Sequence, residues 1–258
     1  MIIIKDLHKK FGTNAVLKGV SLDIQQGQSL VIIGGSGSGK SVLVKCILGL
    51  EQPTSGSITI DAHEMIGASR TARHKINSRI GMLFQHSALF DSLPIWQNVA
   101  FRALQTPSLS ISDAREIAAE HLIRVGLETS LLDAFPNELS GGSAKRVGLA
   151  RAIAPDANGT PPDILIFDEP TTGLDALMTE IINDLICECV ENLHATTITI
   201  THDMRSVRTI ADKAALLYRG GIIWQGEQND LSDVTQDTNP YLYQFMNGLA
   251  TGPIEVVE

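Results

Sequence analysis

Two short stretches of the 258-residue chain carry residue types at spacings that could do chemistry. Gly34-Gly35-Ser36-Gly37-Ser38-Gly39-Lys40-Ser41 places four glycines, a lysine and three serines directly behind the apolar run Leu30-Val31-Ile32-Ile33. A backbone with so few side chains can turn successive N–H groups toward an anion. Lys40 could then reach the β and γ oxygens of a bound polyphosphate, and the Ser41 hydroxyl could ligate Mg²⁺. The second stretch is Ile164-Leu165-Ile166-Phe167 followed by Asp168-Glu169. An acidic pair at the end of a buried strand is costly unless it faces a cation or a reaction. Asp168 is therefore a candidate Mg²⁺ partner, directly or through water, and Glu169 a candidate general base or water-positioning group for attack on a γ-phosphate.

These groups need a scaffold that ends strands where the loops begin. Leu30 to Ile33, Ile164 to Phe167, Thr197 to Ile200 and Ala214 to Leu217 are short continuous apolar runs, as expected of parallel strands covered on both faces. Strand, Gly34-x-x-x-x-Gly39-Lys40-Ser41 and then the helical VLVKCILGL is the P-loop arrangement. Met1 to Lys5 and Val16 to Ile24 read as strands, the second alternating apolar and polar residues as in an antiparallel sheet with one wet face. From about Pro94 to Ala154 the pattern turns helical, with Ile111, Ala114, Ile117, Ala118, Leu122 and Val125 along one stripe behind a start signal at Ser110. A loop from Asp156 to Pro162 returns the chain to the core. The tail from Pro240 to Glu258 places Tyr241, Leu242, Phe245, Met246 and Leu249 at helical spacing, which predicts a short helix docked on its own domain or on a second copy.

Composition narrows the function classes. A hydrophobic content of 43% can bury one sizeable core without disulfides. The three cysteines are Cys46, Cys187 and Cys189; the last two lie two apart on an expected helix and so point to different faces. A formal net charge of -9 argues against holding DNA or RNA by its phosphates, because that affinity comes from clustered Lys and Arg. The basic run from Arg70 to Lys75 reads as a solvated helix face. No apolar run approaches the roughly 18 residues needed to span a bilayer, and MIIIKDLHKK is charged too soon for a signal peptide. Membrane contact is expected to go through a partner.

Leu139-Ser140-Gly141-Gly142-Ser143, ahead of the helical AKRVGLARAIA, resembles the LSGGQ signature of the ABC ATPases. Further elements of that family follow in order over almost the whole chain. Phe11 stands where the family places an aromatic that stacks on adenine. Gln85 in MLFQ resembles the Q-loop, Gly173-Leu174-Asp175 the D-loop, and His202 in ITITHD the switch histidine. The resemblance implies an α/β fold: a P-loop NTPase (RecA-like) core with an N-terminal antiparallel β subdomain and an inserted α-helical signature subdomain at about 94–154, all in one nucleotide-binding domain over 1–258. It also implies ATP and Mg²⁺, the nucleotide on Phe11, Gly34 to Val42, and Ser140, Gly141, Gly142 and Asp175. The metal would fall to Ser41, Gln85 and Asp168, and hydrolysis to Glu169, His202 and Gln85. In this family two domains meet head to tail, so that ATP on one P-loop also meets the signature of the other, where Ser140 and the N–H groups behind it favour the γ-phosphate's charge. Three departures concern detail: Val42 replaces a hydroxyl residue that reaches the α-phosphate, Ser143 replaces the signature's Gln, and Phe11 replaces the commoner Tyr.

A lone domain of this size resembles the ATP-binding subunit of a multi-subunit transporter. DNA-repair relatives need a long coiled-coil insertion between P-loop and signature, translation factors usually carry two such domains, and a small-molecule kinase leaves the LSGGS helix unexplained. The segments from Leu83 to Leu93 and from Ile95 to Phe101, with ADKAALLYRGGIIWQG and NPYLYQFMNGLATGPI, resemble the lipid-asymmetry (Mla) and related Mce-associated systems. That implies a homodimer on the cytoplasmic side, peripheral to the inner membrane through an integral permease. The permease's coupling helix would face Gln85 to Phe101, with packing inside the helical subdomain the alternative for Leu89, Leu93 and Trp96, and an Mce-type lipid-binding envelope subunit is a further expected partner. The alternatives are a transporter ATPase for another solute and a soluble non-transport ABC ATPase.

Overall fold

A computed structural model describes residues 1–254, apart from the side chain of Cys189. The tail expectation for Glu255 to Glu258, and the side-chain direction expected of Cys189, lie outside the described residues. In chain order the elements begin with β1 (Ile2–Phe11), β2 (Asn14–Ile24), β3 (Ser29–Ile33), α1 (Lys40–Ile47), β4 (Ser55–Ile60), β5 (His63–Glu64), α2 (Arg70–Asn77) and β6 (Ile80–Leu83). Helices α3 (Ile95–Val99), α4 (Ile111–Arg124) and α5 (Gly141–Ile153) follow. The chain then forms β7 (Ile164–Asp168), α6 (Ala176–Leu193), β8 (Thr196–Thr201), α7 (Met204–Ile210), β9 (Lys213–Tyr218), β10 (Gly221–Glu227) and α8 (Pro240–Asn247). They make two compact units. The first holds Met1–Ile24, Ser29–Ile66 and the chain from Ile200 onward, and the second holds Gln25–Gln28 and Gly67–Thr199.

In the first unit, an antiparallel sheet in the order β2-β1-β4-β5 aligns Ile2 and Ile4 of β1 with Ile24 and Leu22 on one side and Ile60 and Ile58 on the other. All six side chains are buried, so one face of the sheet is core. Strand β1 runs six residues past the expected end at Lys5. Register shifts between Ile4 and Leu7, with Asp6 left-handed at φ 46°, break the two-residue alternation that sequence reading relies on. The same unit contains the ladder β10-β9-β3, in which β3 runs parallel to β9 and Ile33 lies beside Leu216. Leu30, Val31, Ile32 and Ile33 are fully buried, worth about 1.5–3 kcal/mol per side chain. Asp212 fixes where β3 starts: its carboxylate accepts from Ser29 N at 2.8 Å, and its own N–H donates to Ser29 O at 2.9 Å.

Helix α8 lies in this unit, and it is held differently from the apolar stripe expected of it. Leu242 is buried, but Gly248 ends the helix at φ 60° and leaves Leu249 beyond it, exposed. Buried Gln244 does the tying: its amide donates to the Leu249 and Ile254 carbonyls at 3.2 and 3.0 Å and accepts from Ile254 N at 2.7 Å. Tyr241 packs on Tyr218 of β9, ring centres 5.5 Å apart.

In the second unit the strands run β8-β7-β6, with β6 parallel to β7 and Leu83 beside Phe167. Between β6 and β7 every described element is helical. Ser110 caps α4 by accepting from Asp113 N at 3.1 Å. Ala114, Ala118, Leu122 and Val125 are buried as the stripe predicts, whereas Ile111 is exposed at the helix start and His121 is buried in its place on that face. Trp96 is also buried, under the guanidinium of Arg115. Close packing of α5 on β6 requires glycine twice. A Cβ on Gly81 would stand 1.9 Å from the Ala152 carbonyl oxygen, and one on Gly148 would stand 2.8 Å from Leu83 Cδ1.

Candidate functional site

The expected site residues fall into two half-sites, one on each unit. In the first unit, β3 ends at Ile33 and the chain turns through Gly34 to Gly39 into α1. Gly34 is required by contact: a Cβ there would lie 2.4 Å from the Leu217 carbonyl oxygen and 2.8 Å from Ser38 Oγ. Gly39 is required by conformation, since it caps α1 at φ 109° with no side chain over the helix end. The first N–H groups of α1 are thereby left for a ligand, and the helix dipole favours an anion there. Lys40 Nζ is buried and donates to the Gly34 and Gly35 carbonyls at 2.7 and 3.0 Å, which holds the ammonium on the loop.

The loop is braced from behind. Gly220 N donates to Ser38 O at 3.1 Å, and Gly220 O accepts from Lys18 N at 2.8 Å. A Cβ on Gly220 would stand 2.3 Å from the Val16 carbonyl oxygen. The β9–β10 turn, with Arg219 and Gly220 both left-handed, thus clamps the glycine loop against β2. Sequence reasoning did not single out this brace, although the Arg219-Gly220-Gly221 turn carried a signal for it.

The loop has room and polar capacity for a phosphate chain. Cβ positions on Gly35 and Gly37 face open space, and the buried Ser38 Oγ has no partner among the described residues. Ser41 is exposed at the start of α1. At the end of β1, Phe11 is 45% exposed, with one ring face covered by Lys9 Nζ at 4.6 Å, so the aromatic expected against adenine is accessible. His202 is exposed between β8 and α7, next to Asp203, which caps α7 by accepting from Arg205 N at 2.9 Å.

In the second unit, burial relaxes at the end of β7. Asp168 is half-buried and Glu169 buried, and Glu169 adopts φ 50°, a left-handed conformation costing about 1 kcal/mol or more for a residue with a Cβ. Its Oε2 accepts from Thr172 Oγ1 at 2.9 Å. Asp175 caps α6, accepting from Met178 N at 2.9 Å. Ser140 caps α5: its Oγ accepts from Ser143 N at 3.1 Å and donates to Ser143 Oγ at 2.9 Å. Gly142 packs flat on α6, where a Cβ would meet Met178 Cε at 2.9 Å. Gln85 and Glu169 are brought together by their backbones. The Gln85 and Glu169 carbonyls both accept from Lys145 Nζ, at 3.0 and 3.1 Å. The sequence reading passed over Lys145.

Beyond Gln85 the chain makes a stapled loop. Ser87 and Ala88 are left-handed, and Arg151 donates to both of their carbonyls. Fully buried Asn98 accepts from Phe90 N at 2.7 Å and donates to the Leu93 carbonyl at 2.9 Å. This loop borders a groove of about 650 Å³ whose apolar lining includes Met82, Phe84, Phe90 and Phe101. The three phenylalanines are 36–42% exposed, and Phe90 and Phe101 stack with centres 4.7 Å apart. Trp96 takes the alternative of packing inside the helical subdomain and belongs to the core.

A Mg²⁺ ion suits the donor types expected for it: a hydroxyl at Ser41, an amide oxygen at Gln85 and a carboxylate at Asp168 are all hard oxygens. No group of three His, Cys, Asp or Glu among the described residues could hold a metal. No helix among the described residues is long and apolar enough to cross a membrane.

Comparison with known proteins agrees over nearly the whole chain. The family described as ABC transporter matches residues 17–172. A "Probable ribonucleotide transport ATP-binding protein mkl" of Mycobacterium leprae is 38% identical over 257 residues, covering 100% of this chain and 72% of that protein. "Protein TRIGALACTOSYLDIACYLGLYCEROL 3, chloroplastic" of Arabidopsis thaliana is 35% identical over 270 residues, covering 98% and 75%. Among solved structures, a dimeric ATP-binding cassette in a post-hydrolysis state, bound to ADP and Pi, superposes with a TM-score of 0.80 at 31% identity, covering 88% of this chain and 99% of that one.

Proposed function

Because the chain belongs to the ABC transporter family, as an ATP-hydrolysing ATP-binding subunit with a P-loop NTPase fold, we propose that it powers lipid transport as a homodimer docked on an integral-membrane permease. The observation that carries the nucleotide site is the open glycine loop behind β3, with Lys40 bound on its carbonyls and the end of α1 uncapped by any side chain.

ATP lies with its phosphates along Gly34 to Ser41, the base against Phe11, and Val42 leaving the α-phosphate to backbone N–H groups. Lys40 places its charge at the β and γ oxygens. A Mg²⁺ ion would take the Ser41, Asp168 and Gln85 oxygens as ligands and would supply charge neutralisation on the phosphates. Glu169 orients a water and accepts its proton as the water oxygen bonds to the γ-phosphorus and the bond from that phosphorus to the β–γ bridging oxygen breaks, leaving ADP and phosphate, and His202 orients the γ-phosphate. Ser140, Gly141 and Gly142 of the second copy complete the enclosure at the N-terminus of its α5, and Asp175 lies toward the partner. The dimeric state of the ADP- and Pi-bound cassette relative supports this arrangement. Loss of the γ-phosphate releases the second copy and opens the dimer.

The aromatic groove beside the Gln85 loop takes the permease's cytoplasmic helix, which places the subunit peripherally on the inner membrane. Exposed Phe84, Phe90 and Phe101 on a rim pinned by Asn98 and Arg151 support that role, because a firm apolar rim can transmit a push. For the cargo, the resemblance of the Leu83–Phe101 and C-terminal segments to Mla and Mce-associated ATPases favours phospholipid, with an Mce-type lipid-binding subunit as a further partner. The Arabidopsis relative, whose name is that of a galactolipid, is in keeping with this. A ribonucleotide is the second reading, because the mycobacterial relative's name gives that cargo.

Glu169→Gln tests the assignment. The variant is expected to bind ATP normally, lose about 10²–10⁴-fold in turnover and accumulate as an ATP-bound dimer by size exclusion. Undiminished turnover removes Glu169 from the chemistry. Pulldown of the tagged protein from native membranes, with identification of copurifying protein and lipid, tests the transport reading; a soluble-only complex overturns it.

A further inference from the structure

Lys145 is a lysine at 6% exposure in the second turn of α5. A buried ammonium is costly unless its hydrogens are bonded. Here they reach two loops that are far apart in sequence: Gln85 O, 60 residues away, at 3.0 Å, and Glu169 O, 24 residues away, at 3.1 Å. The two loops leave the same end of the parallel pair β6–β7, whose last paired residues are Leu83 and Phe167. One loop continues into the stapled rim of the aromatic groove, and the other carries the carboxylate pair.

We infer that Lys145 is a positioning residue for hydrolysis, a single cation that ties the backbone of Gln85 to that of Glu169 and moves both with the Ser140-capped helix. The inference rests on the reading that Gln85 and Glu169 serve ATP hydrolysis.

Three features carry it. Glu169 sits at φ 50°, where a non-glycine residue persists only when its surroundings over-determine it, and a charge-assisted bond to its carbonyl is such a constraint. The Glu169 side chain is separately held by Thr172, so Lys145 governs where the backbone lies and Thr172 how the carboxylate points. The reach also matters: one buried ammonium bonds carbonyls of two loops that the sequence keeps far apart, at 3.0 and 3.1 Å. A displacement at the groove rim reaches the hydrolytic carboxylate through one side chain, with no rearrangement of either strand.

Lys145→Met keeps the length and apolar stem but removes the charge and the donors, and Lys145→Arg keeps both. Steady-state ATPase rates and amide hydrogen exchange, measured on the full chain, are the readouts. For Lys145→Met the expected result is a kcat about tenfold or more below wild type with KM for ATP within about threefold. Exchange should rise together at residues 84–88 and 169–173 and stay unchanged in β3. Lys145→Arg should recover kcat to within about threefold of wild type. The proposal is overturned if Lys145→Met keeps kcat within about twofold, or if exchange rises in one loop only. Should Lys145→Met fail to fold, the decision passes to Lys145→Arg: near-normal turnover supports the tie, and a folded arginine variant with turnover down about tenfold overturns it. Glu169→Gln run alongside separates the two levels. An inactive Glu169→Gln with an unaffected Lys145→Met removes the tie alone, whereas an active Glu169→Gln removes the reading beneath it.

Discussion

At the residue scale the first unit places one cation where an anion chain is expected, and that cation already has two protein partners. Lys40 bridges the Gly34 and Gly35 carbonyls, so it shapes the loop as well as charging it. Lys40→Ala therefore removes charge-assisted bonds worth about 1.5–3 kcal/mol each. We expect ATP affinity to fall about 10- to 100-fold by equilibrium binding, with the thermal midpoint of the nucleotide-free protein also lowered. Unchanged affinity would contradict the phosphate cradle. Glu169, the carboxylate proposed to act on water, shows the complementary case of a residue kept in an unfavourable backbone conformation by its neighbours.

At the element scale the site depends on strand ends meeting backbone from distant elements. Gly34 lies against the Leu217 carbonyl of β9, the strand parallel to β3, and Gly220 lies against Val16 of β2. No side chain fits at either contact. Gly34→Ala puts a methyl 2.4 Å from a carbonyl oxygen, so we expect about 1–3 kcal/mol of destabilisation by denaturant titration. ATP binding should weaken with it, because the glycine loop must lift away from β9. Gly35→Ala, facing open space, is the control and should leave stability within about 0.5 kcal/mol. Equal loss in both variants would count against the contact argument. The glycine loop, the acidic strand end and the serine cap of α5 were all legible because each is a local pattern over ten residues or fewer. The extension of β1 was not, because its bulge interrupts the alternation that marks a strand.

At the scale of the whole molecule, stability should depend on pH through His121. Burial pushes its pKa below the ordinary 6.5, opposed by its hydrogen bond to the Ile117 carbonyl at 2.9 Å. The unfolded chain then binds a proton that the folded one refuses in the window just below 6.5. Stability is lost as pH falls through that window and regained as it rises, with a slope of at most about 1.4 kcal/mol per pH unit. His121→Gln should flatten the fall in thermal midpoint between about pH 7 and 5, and an identical profile in the variant would exclude His121 as its source. By itself the sequence determined the chemistry on offer and the order of the pieces: a phosphate loop after one buried strand, a carboxylate pair after another and a serine cap between them. Each of these is written in consecutive residues whose backbone preferences are local. Only the tertiary structure decided that Gly220 braces the glycine loop against β2, that Gln244 ties the tail and that Lys145 joins Gln85 to Glu169. Those contacts join positions that become neighbours only through packing, and a buried lysine or glutamine looks like a surface one until the elements around it are in place.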